Sequence, residues 1–206
     1  MRGEILPLFP LRLVLFPHAA LPLHIFEERY RTLINECVHE GKEFGINCMR
    51  NDQVADIGCS AVVTDVLHRF EDGRMDIVVE GRRRYKLSGY DTTKKPYLVG
   101  FVHYLDPVGE RVDETLERDT VRLYNRLIEE VYASKEHQVS LDVAGEETSF
   151  LLAPKAGMDL DQRQRLLELF SENERLAMLH AYLANVIPRL KHAQEIDRVI
   201  RSDGYL

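Results

Sequence analysis

The chain has no tryptophan, only three cysteines among 206 residues, and no apolar run long enough to cross a bilayer without meeting a proline. Each shortage excludes something. Cys37, Cys48 and Cys59 are odd in number, lie eleven residues apart and form no C-x-x-C pair, so they specify neither a disulfide framework nor a zinc site. They fit a reducing compartment, and the expected location is the cytoplasm. The apolar opening LPLFPLRLVLFPHAALPLHIF carries Pro7, Pro10, Pro17 and Pro22, each of which removes a helical hydrogen bond. It cannot form the roughly 20-residue helix that a membrane span requires, and Arg12 interrupts the stretch a secretory signal would need. It reads as extended chain that alternates edge strand with turns.

Signatures of chemistry are equally scarce. The Gly41-Lys42 step is followed by Glu43 and has no upstream glycine at the spacing of a phosphate-binding loop. Ser60, in GCSAV, falls inside a predicted strand and not on the strand-to-helix turn of a nucleophile elbow. Cys37 and His39 are two apart on a helix and so point to different faces, which makes Cys37 a core thiol. Asp159-Leu160-Asp161 lacks the glycine and terminal glutamate of a calcium loop and reads as a helix start. The residues therefore specify no catalytic group, no metal and no cofactor.

Charge and glycine divide what is present. Net charge is −7, which opposes a protein whose main work is gripping phosphate backbones. Residues 1–107 hold 14 basic and 15 acidic side chains, whereas residues 108–206 hold 13 and 19. Eight of the twelve glycines lie between Gly41 and Gly109. Dense turns followed by sparse ones are the mark of short strands followed by helices, so an α+β chain is expected with a β subdomain at 1–107 and a helical one at 108–206.

Within the first part, Phe26, Tyr30, Leu33, Ile34, Cys37 and Val38 recur at three and four residue steps and predict a helix that Gly41 stops. Strands are expected at Phe44–Met49, Ile57–Phe70, Met75–Glu80, Arg84–Gly89 and Tyr97–Tyr104, with Asp72-Gly73 as a type I′ hairpin turn and Gly81 as a break. Five or six short strands with one inserted helix suggest a small β-barrel. The Arg82-Arg83-Arg84 run reads as a solvated strand edge. In the second part a long helix begins at Asp113. Asp159 with Gln162, and Ser171 with Glu174, have capping-box spacing, and Pro188 is expected to end or kink the last long helix.

One resemblance is specific. Leu6–Ile34 is similar to the opening of the N-terminal domain of Lon proteases, and His24, Ile25, Phe26, Glu27, Arg29 and Tyr30 match its H-I-F-E-x-R-Y element. Val54–Gly89 resembles the same family's glycine-led strand, D-G hairpin and G-x-x-R step, and Leu166–Ile187 is more loosely similar to its helical part. His18 departs from the pattern, at a position the family often fills with glycine. The resemblance implies a PUA-like β-barrel with one inserted helix followed by a C-terminal helical bundle. It also implies a non-enzymatic module that recognises unfolded or damaged polypeptide, acting as an adaptor with a protease or chaperone as a further partner. An RNA-binding PUA-like domain is the alternative, which the net charge opposes least in the near-neutral first half.

A module that holds extended polypeptide needs exposed apolar surface. The expected peptide site is a cleft rimmed by Phe16, Pro17, Arg83 and Tyr85. Glu27 and Arg29 are expected to form an internal ion pair that fixes the helix to the sheet.

Overall fold

The structure is a computed structural model, and it describes residues 3–132, 136–140 and 147–202. Among the described residues six strands and five α-helices follow one another, and the chain divides into two compact units. The first comprises Met1–Asp106 together with Asp159–Glu168, and the second Pro107–Met158 with Leu169–Leu206.

In the first unit β1 (Glu4–Leu8), β2 (Ala20–Ile25), β3 (Phe44–Arg50), β4 (Gln53–Arg69), β5 (Met75–Asp91) and β6 (Leu98–Tyr104) form a mixed sheet in the order β2-β5-β4-β3-β1-β6. Strand β6 also pairs with β5, so the pairings β5–β4–β3–β1–β6 return to their start. β1 runs parallel to β3 and antiparallel to β6. β2 stands at the end of the order and carries Pro22, a residue without an amide donor that suits an edge position.

Helix α1 (Glu28–Glu40) follows the predicted period and buries Tyr30, Leu33, Ile34 and Cys37. Gly41 ends it at φ +63°, and the Lys42 amide donates to the Cys37 carbonyl at 3.0 Å. These side chains share one buried cluster with Phe9, Phe44, Ile46, Met75 and Ile77, while Leu6, Leu8, Tyr85, Leu87 and Val102 form another. Phe26, expected on the same apolar stripe, precedes the helix and is 61% exposed.

Two local expectations change. Asp72-Gly73 does join β4 to β5, but Gly73 alone takes positive φ, at +85°. The Gly73 amide donates to Phe70 O and the Phe70 amide to Arg74 O, the pattern of a type I turn closed by a left-handed glycine. The turn with two adjacent positive φ values is Asn51-Asp52 (+48° and +60°), between β3 and β4. Gly81 does not break β5, which runs unbroken for 17 residues. A Cβ there would overlap the Phe16 carbonyl oxygen, so the glycine admits a close backbone approach.

Helix α4 (Leu160–Glu168) packs in the sheet unit and starts with the expected reciprocal cap: the Gln162 amide donates to Asp159 Oδ1 at 2.8 Å and the Asp159 amide to Gln162 Oε1 at 3.0 Å. Two buried bonds join it to the strands, from Gln164 Nε2 to Ile57 O (3.1 Å) and from Arg84 Nη1 to Leu167 O (2.9 Å). The arginine run is therefore not a uniform edge. Arg84 is buried, Arg82 lies 3.2 Å from Glu80, and the Arg83 guanidinium sits 3.6 Å from the Tyr104 ring centre.

The second unit holds α2 (Glu114–Tyr132), α3 (Thr148–Leu152) with a single 3₁₀ turn after it, and α5 (Glu172–Ser202). Asp113 Oδ1 caps α2 by accepting from the Thr115 and Leu116 amides. The Ser171 hydroxyl accepts from the Glu174 amide at 3.2 Å at the head of α5. α5 continues past Pro188, so the proline does not end it. Both Pro188 and Ala184, whose carbonyl the missing donor would have bonded, lie on the exposed side, where water can take that carbonyl.

A buried ion pair ties α3 to α5. Glu172 accepts from the Ser149 amide (2.7 Å), the Ser149 hydroxyl (2.6 Å) and Arg175 Nη2 (2.7 Å), and Arg175 Nη1 donates to the carbonyls of Leu169 and Phe170. Burial pushes the Glu172 carboxyl above its ordinary value, against those donors. Among the described residues, no helix is long and apolar enough to cross a membrane.

Candidate functional site

The register of β1 against β6 sets Ile5 opposite Phe101 and Pro7 opposite Val99. Strand side chains alternate between faces, so these four share one face while Leu6, Leu8 and Val102 turn into the core. Ile5 is 68% exposed and Phe101 41%, large apolar groups that the sheet unit leaves in water. Together with α1 they border a groove of about 490 Å³.

The groove's charged rim is satisfied within itself. The Tyr97 hydroxyl donates to the Glu36 carboxylate, and Lys95 Nζ reaches both Glu36 oxygens at 3.0 Å. The tyrosine's hydrogen bond, helped by the lysine, holds the Glu36 carboxyl below its ordinary range, while burial and the neighbouring carboxylate push the Tyr97 phenol up. Lys42 pairs with Glu40 at 2.5 Å, and Lys94 lies 3.4 Å from Asp91. Cys37 also lines the groove, but burial pushes its thiol up to about 11, so it is not a thiolate at neutral pH. The arrangement offers an apolar floor and paired charges, which suits binding better than bond making.

The residues expected from sequence fall elsewhere. Phe16, Pro17 and Tyr85 are buried, and of the four Arg83 alone presents its side chain to solvent. Tyr85 donates its hydroxyl to Asn47 Oδ1, and Asn47 Nδ2 donates to Ala55 O at 2.9 Å, so this tyrosine serves the interior. Glu27 and Arg29 do pair, at 2.7 Å, but on the surface and within one turn, so they do not tie the helix to the sheet. The groove was missed because Ile5 and Phe101 are distant in sequence and meet through strand pairing. Their place in alternating strands was the available signal.

A second exposed group of rings brings Phe26, His24, Phe70 and His68 together. His68 stands edge-on to the Phe70 ring at 4.3 Å, and His24 Nδ1 lies 2.6 Å from Asp76 Oδ1. Among the described residues, no three His, Cys, Asp or Glu side chains are placed to hold a metal ion.

This fold has solved counterparts. A Lon N-terminal domain protein from Xanthomonas campestris superposes with a TM-score of 0.68 at 24% identity, covering 86% of this chain and 98% of that one. The N-terminal domain of a Mycobacterium avium complex Lon protease does so with a TM-score of 0.69 at 18% identity, covering 88% and 98%. The architecture is thus that of a Lon N-terminal domain. Residues 5–185 match the family model of the ATP-dependent protease La (LON) substrate-binding domain, and the chain belongs to that family. Among curated relatives, Lon protease 3 of Sorangium cellulosum is 26% identical over 85% of this chain and 23% of its own length. A Lon protease of Parabacteroides distasonis is 31% identical over 56% and 15%. The chain spans about a quarter or less of the length of these two relatives.

Proposed function

We propose that this chain is a non-catalytic polypeptide-binding module that takes up extended, apolar segments of unfolded or damaged protein and presents them to a Lon protease or to another protease or chaperone as an adaptor. The observation that carries this reading is the exposed Ile5–Phe101 pair on a groove of about 490 Å³, in a chain whose family is the Lon substrate-binding domain. An extended segment would lay apolar side chains against Ile5 and Phe101, while the internally paired rim excludes no particular charge. Arg83, the exposed member of the residues expected from sequence, is a proposed further contact, and Phe16, Pro17 and Tyr85 support the reading by fixing the fold. The cyclic strand pairing supports a PUA-like barrel, and the helices of the second unit a C-terminal bundle. Three buried cysteines, none of them in a disulfide, support a cytoplasmic location.

Fluorescence anisotropy with a labelled, permanently unfolded protein tests this. Saturable binding is expected, weakened about tenfold or more by Ile5→Glu with Phe101→Glu, since each buried apolar side chain contributes about 1.5–3 kcal/mol. Absence of binding to any unfolded chain, or binding that the double substitution leaves unchanged, overturns the proposal. Equal or tighter retention of structured RNA at physiological salt would favour the nucleic-acid alternative.

A further inference from the structure

Strand β2 stands at the end of the strand order and, among the described residues, pairs with β5 alone. Which of its backbone groups this leaves open follows from the register. Ala20 faces Glu80 and Leu21 faces Val79, with no shift along the ladder as far as Ile25 and Met75. The Gly81 amide donates to Ala19 O at 3.0 Å, one step before this ladder, so Ala19 with Gly81 is a hydrogen-bonding position. Such positions alternate along an antiparallel pair, which makes Leu21, Leu23 and Ile25 the residues that bond β5. Ala20, Pro22 and His24 therefore turn their backbone groups to the open side, as N–H donors at Ala20 and His24 and as carbonyls at all of them. Ala20, Pro22 and His24 are also exposed residues.

An open row of donors and acceptors at every second residue is a template for another strand, and extended polypeptide is the ligand that presents the same repeat. The side chains add a requirement. Leu21 and Leu23 pack against the buried cluster that holds Leu33 and Ile34 yet stay half-buried, on the face opposite Ala20, Pro22 and His24. A strand laid along this edge would cover what remains of both leucines with its own alternate side chains. His24 directs its ring away from the open side, toward Asp76 on β5, with 2.6 Å from Nδ1 to Oδ1. Pro22 decides between occupants. Against a second copy, the antiparallel pairing that uses the whole strand sets Pro22 opposite Pro22, where neither carbonyl finds a donor and each ring meets the other's carbonyl. A strand of another sequence meets a single proline, and can donate to every open carbonyl while accepting from Ala20 and His24.

We infer that the open edge of β2 takes a strand of an unfolded polypeptide by main-chain pairing, with apolar side chains two residues apart covering Leu21 and Leu23. The inference rests on the polypeptide-binding reading and adds to the groove a contact that reads backbone more than side-chain identity. Segments that bind there must be free of proline at the alternate positions that donate to Ala20, Pro22 and His24.

NMR of the ¹⁵N-labelled full chain tests it, titrated with the acetylated and amidated peptide KTVTVTK. Its threonines would face Ala20, Pro22 and His24 and supply the donors, and its valines would lie on the leucine face. Saturable shifts are expected at the amides of Ala20 and His24. N-methylation of the threonines should abolish them, whereas N-methylation of the valines, whose amides point away from β2, should leave them. Ala20→Pro removes an outward donor and no bond to β5, so it should weaken the peptide about fivefold in a chain whose folded spectrum is retained. The methylated peptides decide the matter if that variant does not fold. Equal loss from both methylations, loss from neither, or no saturable shift at Ala20 and His24 overturns the inference. Shifts of the same amides on concentrating the chain without peptide identify a second copy as the occupant and also overturn it. With labelled unfolded protein, binding that Ala20→Pro leaves unchanged and Ile5→Glu with Phe101→Glu abolishes overturns the inference and leaves the groove. Binding that Ala20→Pro weakens and the groove substitutions leave unchanged overturns the groove reading and leaves the edge.

Discussion

The Tyr85 hydroxyl occupies the space that a Cβ on Gly45 would need. It would also stand 2.7 Å from a Cβ on Gly58, so a buried tyrosine on β5 rests on glycines of two other strands while bonding Asn47. Gly45→Ala therefore forces a buried ring to move in a close-packed interior, at a cost of about 3 kcal/mol or more. Urea denaturation checks this. Adding Tyr85→Phe to Gly45→Ala should recover part of the loss, whereas Tyr85→Phe alone should cost about 1–3 kcal/mol because Asn47 Oδ1 loses its donor.

His18 holds φ at +63°, the left-handed region, and its amide donates to Gly81 O at 2.9 Å. Glycine adopts that conformation without strain. Valine, branched at Cβ, fits the conformation poorly, so His18→Val should lower stability by about 1–2 kcal/mol. His18→Gly should keep or raise it. Thermal unfolding of the three chains gives the order Gly, His, Val from most to least stable. A valine variant as stable as the parent contradicts the backbone argument.

Arg175 is the counter-charge to a carboxylate buried with it. Arg175→Leu leaves Glu172 without its cation and frees the Leu169 and Phe170 carbonyls, at about 3–5 kcal/mol. Replacing both partners with apolar residues should cost much less than the sum of the single changes. A double-mutant cycle in urea measures the coupling.

Glu36 predicts a pH dependence. Its carboxyl is held below the ordinary 4.5 by Tyr97 and Lys95, so the folded state binds this proton less readily than the unfolded chain does. The stabilisation is present above about pH 4.5 and is lost as pH falls through the lower folded value. Glu36→Gln should flatten that acid limb, seen as a smaller fall in Tm between neutral and acid solution. An unchanged limb would mean that the contact with Tyr97 adds nothing.

Local chemistry made much of this fold legible. The α1 stripe with its Gly41 stop, the Asp159–Gln162 cap and the hairpin at Asp72-Gly73 are short-range features, settled by residues within a few positions of one another. The misses share a different cause. Gly81 looks like a break until the Phe16 carbonyl is seen beside it, and Asn51-Asp52 lacks the glycine that usually announces a left-handed pair. Tyr85 and Phe16 look like surface aromatics near a proline-rich opening, yet strand register turns Tyr85 inward, and Phe16, in the segment between β1 and β2, is buried as well. The same register turns Ile5 and Phe101 outward. Binding surfaces here are products of pairing between distant segments, and no window of local sequence contains them.

Helix α4 has a consequence for how the molecule can be divided. The backbone crosses between the two units three times, after Asp106, after Met158 and after Glu168. A chain stopped at Asp106 would keep all six strands but strip Arg84 of the Leu167 carbonyl and Gln164 from Ile57. The two units are interleaved along one backbone, so no single cut yields either of them whole.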